Sequence, residues 1–257
     1  MNMPSCGTTW TTSQISDRKN NPLKNLSGPL LSGQVFIFVL NIVNTGVDFN
    51  YLVIEGNIGA GKTSLATRLA EESNAKLILE QFAENPFLPK FYKEPDRFAF
   101  PVELTFLADR YSQLKNEINP RDLFQTKTIS DYYFVKSLIF SRKTLKDDEY
   151  SLYKRLFEII QQQLSKPDIY IYLHVTTERL LENIKTRGRN YESDITAAYL
   201  EEIQKSYFDY IRSHPEMTFL VLDVNMIDFV NNNDDYQKVK SVIFDRNYKP
   251  GMNMIIL

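Results

Sequence analysis

The sequence predicts an α/β fold in which helices flank a five-stranded parallel sheet. The chain has 257 residues, 43% hydrophobic and 24% charged, which is long and apolar enough to bury one large core. From residue 51 onward, short apolar runs alternate with segments whose apolar residues recur at three- and four-residue spacing. That alternation is typical of strands wrapped by helices. Aromatic residues make up 13% of the chain, so we expect flat rings in the core or in a pocket.

Five β-rich runs predict the strands, and five amphipathic segments predict the clearest helices. The strands are expected at Tyr51–Glu55, Lys76–Glu80, Lys127–Asp131, Asp168–Val175 and Thr218–Val224. The helices are expected at Thr63–Ser73, Arg97–Glu117, Asp147–Ser165, Thr177–Lys185 and Thr196–Ser213. Asp147 and Thr177 stand where a side-chain oxygen would cap the free amide groups at the start of a helix.

Three of the predicted strands end in an acidic residue, namely Glu55, Glu80 or Asp131. In open parallel sheets, ligands bind beyond the carboxyl ends of the strands. These three carboxylates are therefore candidates to face a single crevice.

The first 48 residues differ in composition from the rest, and we expect the folded domain to comprise residues 49–257. Residues 1–34 are rich in Ser, Thr, Asn, Pro and Gly without a sustained apolar period, which predicts a flexible extension. The apolar run from Val35 to Val43 has nine residues, far fewer than the roughly 20 that span a bilayer. A secretory signal peptide is one alternative, but no clear small-residue cleavage pattern follows the run. A mitochondrial presequence is a second alternative, and translation that starts close to Val47 is a third.

The net charge and the cysteine content limit which partners and which cellular compartment are expected. Thirty basic against thirty-two acidic residues leave a net charge of −2, which provides no overall attraction to nucleic acid or to an anionic membrane. The single cysteine, Cys6, cannot form an internal disulfide or build a zinc site from several thiolates. We therefore expect a reducing, cytoplasmic setting, with neither nucleic acid nor a membrane as a partner.

The segment Gly56–Thr63 has the sequence GNIGAGKT and satisfies the phosphate-loop pattern GxxxxGK[ST]. Glycines let backbone N–H groups turn toward a polyphosphate, Lys62 supplies a mobile positive charge, and the Thr63 hydroxyl can ligate Mg²⁺. The motif follows a predicted strand and opens a predicted helix, as its mechanism requires. The residues predicted to bind the donor nucleotide are Gly56, Asn57, Ile58, Gly59, Ala60, Gly61, Lys62, Thr63 and Ser64. A glycine-rich turn without a ligand is the alternative.

A phosphate loop indicates a nucleotide site but not a reaction. The guanine-reading N/TKxD run of a GTPase is missing, and so is the apolar run followed by Asp-Glu that marks an ATPase motor. A second basic segment, Arg187-Gly188-Arg189, lies between two predicted helices. Two arginines on such a connection can close over a transferring phosphoryl group and neutralise its developing charge. This favours a kinase with an arginine lid, although basic residues also suit the C-terminus of a solvated helix.

Four runs together resemble the deoxynucleoside kinase family, and in particular its bacterial deoxyadenosine/deoxyguanosine kinase branch. They occur in family order at Tyr51–Leu69, Leu79–Tyr92, Ser130–Phe140 and Arg187–Glu192. The resemblance implies a P-loop kinase fold with a five-stranded parallel sheet and an arginine lid, usually assembled as a homodimer. It also implies that ATP and Mg²⁺ are used to phosphorylate the 5′-hydroxyl of a deoxynucleoside. On resemblance alone, purine deoxynucleosides are favoured over pyrimidines.

The resemblance assigns catalytic roles to four residues. Glu80 matches the carboxylate that accepts the proton of the attacking 5′-hydroxyl. A fixed carboxylate within hydrogen-bond reach of the alcohol is suited to this task. Arg187 and Arg189 match the lid arginines, and Lys62 is the lysine of the phosphate loop.

The resemblance assigns binding roles to four more positions. Asp131 matches the acid that helps to hold Mg²⁺ after the third strand, together with Thr63 of the phosphate loop. Tyr92 and Glu192 resemble the two residues that meet the 3′-hydroxyl of the sugar.

Two positions depart from the family pattern. Many members place Arg directly after the acid at position 131, whereas this chain has Tyr132, so we expect another cation, with Lys136 as the candidate. Base recognition in the family often uses a Gln and an Arg on one helix face. Here Glu103 and Arg110 are seven residues apart and share a face, and an ionised Glu can only accept hydrogen bonds. We expect this pair to contact the base, with a solvated ion pair on the helix surface as the alternative.

Two other functions stay open at this point. A thymidylate-kinase-like nucleoside monophosphate kinase would need an additional site for the phosphate of its acceptor. A catalytically silent nucleotide sensor would use closure of the lid as a signal to a partner. A sensor has no need of a proton acceptor such as Glu80, and turnover with any deoxynucleoside would eliminate it.

Overall fold

Six parallel strands form one sheet in the part of the chain that is described. The computed structural model describes residues 49–81, 85–118, 127–189, 192 and 195–257. The strands are β1 (Tyr51–Gly56), β2 (Lys76–Ile78), β3 (Thr128–Ser130), β4 (Ile169–His174), β5 (Thr218–Asp223) and β6 (Gly251–Ile256). They lie in the order β2-β3-β1-β4-β5-β6, and every neighbouring pair is parallel. The expected extension at residues 1–48 lies outside the described residues.

The prediction of five strands is wrong by one strand. The five expected strands are confirmed, with their ends shifted by no more than two residues. The additional strand, β6, pairs with β5 so that Gly251 lies opposite Thr218 and Ile256 opposite Asp223. As an edge strand it is only half covered, and its side chains alternate between partly buried and exposed. The short sequence GMNMII carries no strong strand signal, because half-covered edge positions do not select for β-branched or aromatic residues.

Eight α-helices are described. They are α1 (Lys62–Ser73), α2 (Leu88–Lys93), α3 (Pro95–Ile118), α4 (Val135–Thr144), α5 (Asp147–Gln161), α6 (Thr177–Arg187), α7 (Ala197–Ser213) and α8 (Asn233–Phe244). The five expected helices are confirmed, whereas α2, α4 and α8 were missed. Helix α2 has only six residues, and the buried polar side chains of α4 blur its amphipathic pattern. Within the described residues, no helix combines the length and apolar character needed to cross a bilayer.

The predicted helix caps are each displaced by one residue. Lys146 and Thr176 are the N-cap residues of α5 and α6, so Asp147 and Thr177 are the first helical residues. In α5 the carboxylate that satisfies a free amide belongs to Glu149, whose Oε2 accepts from the N–H of Lys146 at 3.2 Å. The prediction was wrong because an acid in the first helical turn and an acid at the cap give the same composition signal.

The two faces of the sheet have different cores. On one face, aliphatic residues of β1, β4 and β5 pack against α1, α6 and α8. On the other face, tyrosine and phenylalanine rings from β4 and β5 pack against α3, α4, α5 and α7. The rings of Tyr170 and Phe219 meet edge to face with their centroids 5.2 Å apart. The expectation that aromatic rings build part of the core is therefore confirmed.

Candidate active site

The phosphate loop connects β1 to α1 and depends on three glycines. Gly59 and Gly61 have φ angles of 84° and 86°, in the left-handed region that favours glycine. A Cβ atom on Gly56 would lie 2.8 Å from the carbonyl oxygen of Leu173, and one on Gly61 would lie 2.8 Å from the ring of Phe229. The backbone can follow this path only with glycine at these positions.

Other loop residues hold the loop against the domain. The Nδ2 of Asn57 donates to the carbonyl oxygen of Leu200 at 2.7 Å, and its Oδ1 accepts from the N–H of Ile58 at 2.9 Å. Ala60 is buried, Ile58 packs on the aliphatic core, and Ser64 is exposed. Asn57, Ile58 and Ala60 therefore position the loop, and their contact with a nucleotide stays a prediction, as does that of Ser64.

The ammonium group of Lys62 lies folded over the phosphate loop. Its Nζ donates to the carbonyl oxygen of Asn57 at 2.8 Å. Burial and the positive charge of Lys136 lower the pKa of Lys62 to about 8, while the three strand-end carboxylates act in the opposite direction. The carboxylates of Glu55, Glu80 and Asp131 are therefore all close enough to affect the pKa of this lysine. Glu55 is fully buried, so the prediction that it faces the crevice is wrong.

Thr63 and Asp131 present two oxygens side by side. The Oγ1 of Thr63 donates to Oδ2 of Asp131 at 2.6 Å, and Oδ1 of Asp131 accepts from the N–H of Glu80 at 2.8 Å. Mg²⁺ is usually held by one or two protein oxygens together with substrate phosphates and water. No group of three or more His, Cys, Asp or Glu is arranged for a metal in the described part of the chain. The pair therefore fits a magnesium ion that arrives with a nucleotide.

Glu80 follows β2 and is held by two cations. Arg110 donates from Nε and Nη2 to Oε1 of Glu80 at 3.0 and 2.8 Å, and Lys136 contacts Oε2. The side chain of Glu80 is only 12% exposed. Burial raises the pKa of Glu80, but Lys136 and Arg110 outweigh burial and hold the pKa at about 2. Glu80 is therefore ionised, with both of its oxygens in use.

Lys136 is one of the two cations beside Glu80, the other being Arg110, and position 132 provides none. Tyr132 is fully buried, and its hydroxyl donates to Oε1 of Gln113 at 2.7 Å. Lys136, in the first turn of α4, reaches Glu80 from a side chain that is 10% exposed. This position agrees with the expectation that Lys136 supplies the missing cation, whose catalytic role stays a prediction.

Glu55 contributes a third buried carboxylate. It accepts from the N–H of Tyr133 at 2.8 Å and from the hydroxyl of Tyr207 at 2.9 Å. Burial raises the pKa of Glu55, and Lys136 and Lys62 oppose this effect. Glu55 therefore places a negative charge near Lys62 while both of its oxygens remain bound to the protein.

The predicted lid residues form one ionic group at the C-terminal end of α6 and in the segment that follows it. Arg187 donates from Nε to Oε2 of Glu192 at 3.2 Å and contacts the same oxygen through Nη2. Nη1 of Arg189 lies 3.6 Å from Oε1 of Glu192. The two arginine side chains are 36% and 39% exposed, whereas Glu192 is buried. Asn190 and Tyr191 lie outside the described residues.

One face of α6 lines the same cavity as the phosphate loop. The cavity has a volume of about 570 Å³, and its walls include the loop, the lid arginines, Arg179 and Asn183. The sequence prediction missed Arg179 and Asn183. The available signal was their regular spacing, since Arg179, Asn183 and Arg187 follow one another at intervals of four residues and such residues share one helix face.

Arg179 and Asn183 join α6 to the surrounding loops. Arg179 donates to the carbonyl oxygens of Val224 and Ile227 at 2.8 and 2.6 Å and also contacts that of Asn225. Asn183 donates from Nδ2 to the carbonyl oxygen of Gly59 at 2.9 Å. Helix α6 is therefore hydrogen-bonded both to the phosphate loop and to the segment that follows β5, which form two walls of the cavity.

Glu103 and Arg110 lie two turns apart on α3, and both are buried, at 5% and 6% exposure. The alternative of a solvated ion pair on the helix surface is therefore wrong. Oε1 of Glu103 accepts from the hydroxyl of Thr144 at 2.6 Å, whereas its buried Oε2 has no hydrogen-bond partner in the described part of the chain. Burial raises the pKa of Glu103 to about 7 against the opposing effects of Thr144 and Arg110. Nη1 of Arg110 donates to the hydroxyl of Ser137 at 2.9 Å.

Tyr92 lies on α2, immediately before α3. Its side chain is outside the described part of the structure. Its predicted contact with the sugar therefore stays a prediction.

Phosphoryl transfer to an alcohol needs a cradle for the phosphates of the donor, cations that neutralise developing charge, and an acceptor for the proton. The phosphate loop and the lid arginines line one cavity and could supply the cradle and the positive charge. Glu80, whose N–H donates to Asp131, could supply the proton acceptor. Together with a phosphate loop at the end of the first strand of a parallel sheet, this arrangement defines a P-loop kinase. The deoxynucleoside kinase family profile matches residues 52–246, so the chain belongs to the deoxynucleoside kinase family.

Individual relatives agree with this assignment. The chain is 36% identical to a deoxyguanosine kinase of Bacillus subtilis (strain 168) over 196 residues, which covers 74% of this chain and 93% of the relative. It is 29% identical to a deoxyadenosine kinase of Dictyostelium discoideum over 202 residues, covering 78% and 82% of the two chains. The solved structure of deoxyadenosine kinase from M. mycoides with bound dCTP matches with a TM-score of 0.63 and 25% identity, over 75% of this chain and 98% of that chain. The family uses nucleotide phosphate donors, and its named members act on deoxynucleosides.

Proposed function

We propose that this protein transfers the γ-phosphoryl group of ATP to the 5′-hydroxyl of a purine deoxynucleoside, deoxyadenosine or deoxyguanosine, in nucleotide salvage. The observation that carries the proposal is the ionised carboxylate of Glu80, whose side chain is 12% exposed. Glu80 follows β2, and its main-chain N–H donates to Asp131. The names of the relatives, deoxyguanosine kinase and deoxyadenosine kinase, support the purine preference.

In the proposed reaction, Glu80 orients the alcohol and takes its proton. The bond from the 5′-oxygen to the γ-phosphorus forms while the bond from that phosphorus to the bridging oxygen breaks, and ADP leaves with the electron pair. Both oxygens of Glu80 are in use, so the alcohol must displace Arg110 or Lys136 from one of them. Losing one cation raises the pKa of Glu80 toward its usual range and makes it a better proton acceptor.

The remaining groups bind and neutralise the donor. Thr63 and Asp131 would hold Mg²⁺, which would supply positive charge at the phosphates of the donor. Lys62 faces the same phosphates, and Arg187 and Arg189 neutralise the charge that develops on the transferring group when the lid closes.

We further propose that Glu192 and Tyr92 bind the sugar and that Glu103 and Arg110 bind the base. Two buried polar residues on one face of α3, one of them in contact with Glu80, support the second assignment.

The protein is proposed to act as a homodimer. Besides the family resemblance, the support is a group of exposed apolar side chains on the neighbouring helices α3 and α5: Leu104 is 38% exposed, Leu152 48% and Ile159 62%. An isologous contact would remove these side chains from water in both copies. We expect light scattering to give twice the chain mass, and Ile159→Glu to shift it toward the monomer.

The catalytic domain is proposed to be residues 49–257, working in the cytoplasm, where ATP is available and Cys6 stays reduced. Deleting residues 1–46 should then leave kcat and KM unchanged. A loss of folding on deletion would mean that the extension packs on the domain.

The decisive experiment is an assay of ADP release with Mg-ATP and, in parallel, deoxyadenosine, deoxyguanosine, deoxycytidine, thymidine and the corresponding monophosphates. The proposal expects turnover with the nucleosides and the highest kcat/KM with the purines. Turnover with monophosphates alone would indicate a nucleoside monophosphate kinase instead. ATP binding without turnover on any acceptor would indicate a sensor.

A further inference from the structure

We propose that Glu103 reads the purine base in two protonation states, as an ionised carboxylate that favours guanine and as a neutral acid that favours adenine. This inference rests on the proposed function, because it takes a purine deoxynucleoside as the substrate. It concerns selection between the two purines, which the fold and the phosphate loop leave open.

The first support is an incomplete hydrogen-bond network around Glu103. Its Oε1 is bound by Thr144 of α4, and its main-chain carbonyl accepts from the hydroxyl of Tyr153 of α5 at 3.4 Å. Its Oε2 is buried and has no hydrogen-bond partner among the residues that the structure describes. Buried polar atoms in folded proteins are nearly always paired, so an unpaired carboxylate oxygen needs a ligand or a proton to explain it.

The second support is the distance along α3. Glu103 precedes Arg110 by seven residues, which corresponds to roughly 10 Å of helix rise. Arg110 is bonded to Glu80, where the 5′-hydroxyl is proposed to react. The separation is comparable to the length of a purine deoxynucleoside, so a substrate whose 5′ end meets Glu80 can bring its base edge to Glu103.

The third support is the match between the two forms of a carboxyl group and the two purines. Guanine offers adjacent N1–H and 2-amino donors, which suit the two acceptor oxygens of an ionised Glu103. Adenine offers a 6-amino donor beside the N1 acceptor, which suits the carbonyl and hydroxyl of the neutral acid. An ionised Glu103 opposite adenine places an acceptor against the N1 acceptor, and a neutral Glu103 opposite guanine leaves a buried donor unpaired. Mismatches of this kind discriminate strongly between substrates.

Both forms of Glu103 are accessible near neutral pH. Among the described residues that face it, the charged or titratable ones are Arg110 on its own helix and Tyr153 on α5, while Thr144 on α4 is a neutral donor. Burial raises the pKa of Glu103 to about 7, and burial also raises the pKa of Tyr153, so the tyrosine stays neutral. Protonation of Glu103 is therefore the charge change expected in this cluster.

The test is the ratio of kcat/KM for deoxyguanosine to kcat/KM for deoxyadenosine, measured with wild-type protein from about pH 5.5 to about pH 8.5. Taking a ratio cancels every pH effect on ATP, Mg²⁺ and the proton acceptor that both substrates share. We expect the ratio to rise about tenfold or more across this range, since one bidentate base contact is exchanged for a mismatched one. A ratio that does not change with pH would overturn the inference.

Glu103→Gln provides an isosteric comparison. An amide offers one donor and one acceptor at every pH, so the variant should keep the low ratio that wild type has at acidic pH. Glu158→Gln, on the exposed side of α5, should reproduce the wild-type profile. A Glu103→Gln variant that retains the wild-type rise in the ratio would contradict the inference.

The outcomes separate this inference from the proposed function. Turnover with both purines at a pH-independent ratio would overturn the role of Glu103 alone. Absence of turnover with every deoxynucleoside would overturn the proposed function, and this inference with it.

Discussion

Arg110 donates two hydrogen bonds to a single oxygen of Glu80, at 3.0 and 2.8 Å, and both side chains are almost fully buried. A charged pair in this setting is costly to break by removing one partner, because the other charge remains buried without compensation. The pair therefore holds Glu80 ionised and in place before a substrate arrives. It also connects the proposed reaction centre directly to α3, the helix that carries Glu103.

Replacing Glu80 with Gln removes the proposed proton acceptor while keeping its shape. We expect kcat to fall by a factor on the order of 10² or more, with a much smaller change in KM for the nucleoside, because the group acts mainly in the transition state. Steady-state kinetics with Mg-ATP and deoxyguanosine provides the measurement. Glu94→Gln, at an exposed position, is the matched control.

An unchanged kcat in Glu80→Gln would remove Glu80 from its role. The variant leaves Arg110 and Lys136 without their carboxylate partner, so a lower melting temperature is also expected. The kinetics should therefore be measured well below the unfolding transition.

Lys136 is predicted to act as the cation at the 5′ end of the substrate. Lys136→Ala should lower kcat by about tenfold or more, because a buried positive charge beside Glu80 is lost. Lys136→Arg keeps the charge and should restore most of that loss. Removing Lys136 also relieves its repulsion of Lys62, so the alkaline decline of kcat/KM for ATP, expected near the Lys62 pKa of about 8, should move to higher pH. Equal kcat values for the Lys136→Ala and Lys136→Arg variants would show that the positive charge at position 136 does not contribute to the rate.

Most of the donor side of the site could be predicted from the sequence, because its signals are local. The phosphate loop is a contiguous motif whose glycine spacing already implies its backbone path. The proximity of Glu80 and Asp131 could also be predicted, because the strands of a parallel sheet place their carboxyl ends at one edge.

The acceptor side was predicted less well, because it depends on long-range packing. Helical periodicity puts Glu103 and Arg110 on one face of α3 but cannot tell whether that face meets solvent or α4 and α5. On the donor side, the contacts of Arg179 with main-chain carbonyls more than 40 positions away could not be predicted either, because side-chain patterns carry no information about them. The edge strand β6 and the short helix α2 were missed because neither buries a full apolar face.

Arg179 is predicted to hold the walls of the ATP cavity in place and not to contact the nucleoside. Arg179→Ala leaves the carbonyl groups of Val224 and Ile227 without their donor, which should lower the free energy of unfolding by about 1–3 kcal/mol. KM for ATP should rise several-fold while KM for the nucleoside stays the same. Urea unfolding and steady-state kinetics measure the two effects. Arg212→Ala, which removes an exposed ion pair on α7, should change the unfolding free energy by less than about 0.5 kcal/mol.

Glu103 is predicted to make stability depend on pH in a definite direction. Its pKa is about 7 in the folded protein against a usual value of 4.5, so between these values the folded state binds the proton more tightly than the unfolded state. Its contribution to stability is therefore fully present below about pH 4.5 and is lost as pH rises through about 7, by up to roughly 3 kcal/mol.

Glu103→Gln removes this titration while keeping the volume and an acceptor for Thr144. The free energy of unfolding of the variant minus that of wild type should therefore become more positive from about pH 5 to about pH 8, as measured by urea denaturation without nucleotides. The difference between the two free energies of unfolding cancels the titration of every group that does not contact position 103. A difference that stays constant with pH would mean that Glu103 binds its proton equally well in the folded and unfolded chains, and that its burial between α3, α4 and α5 leaves its acidity unchanged.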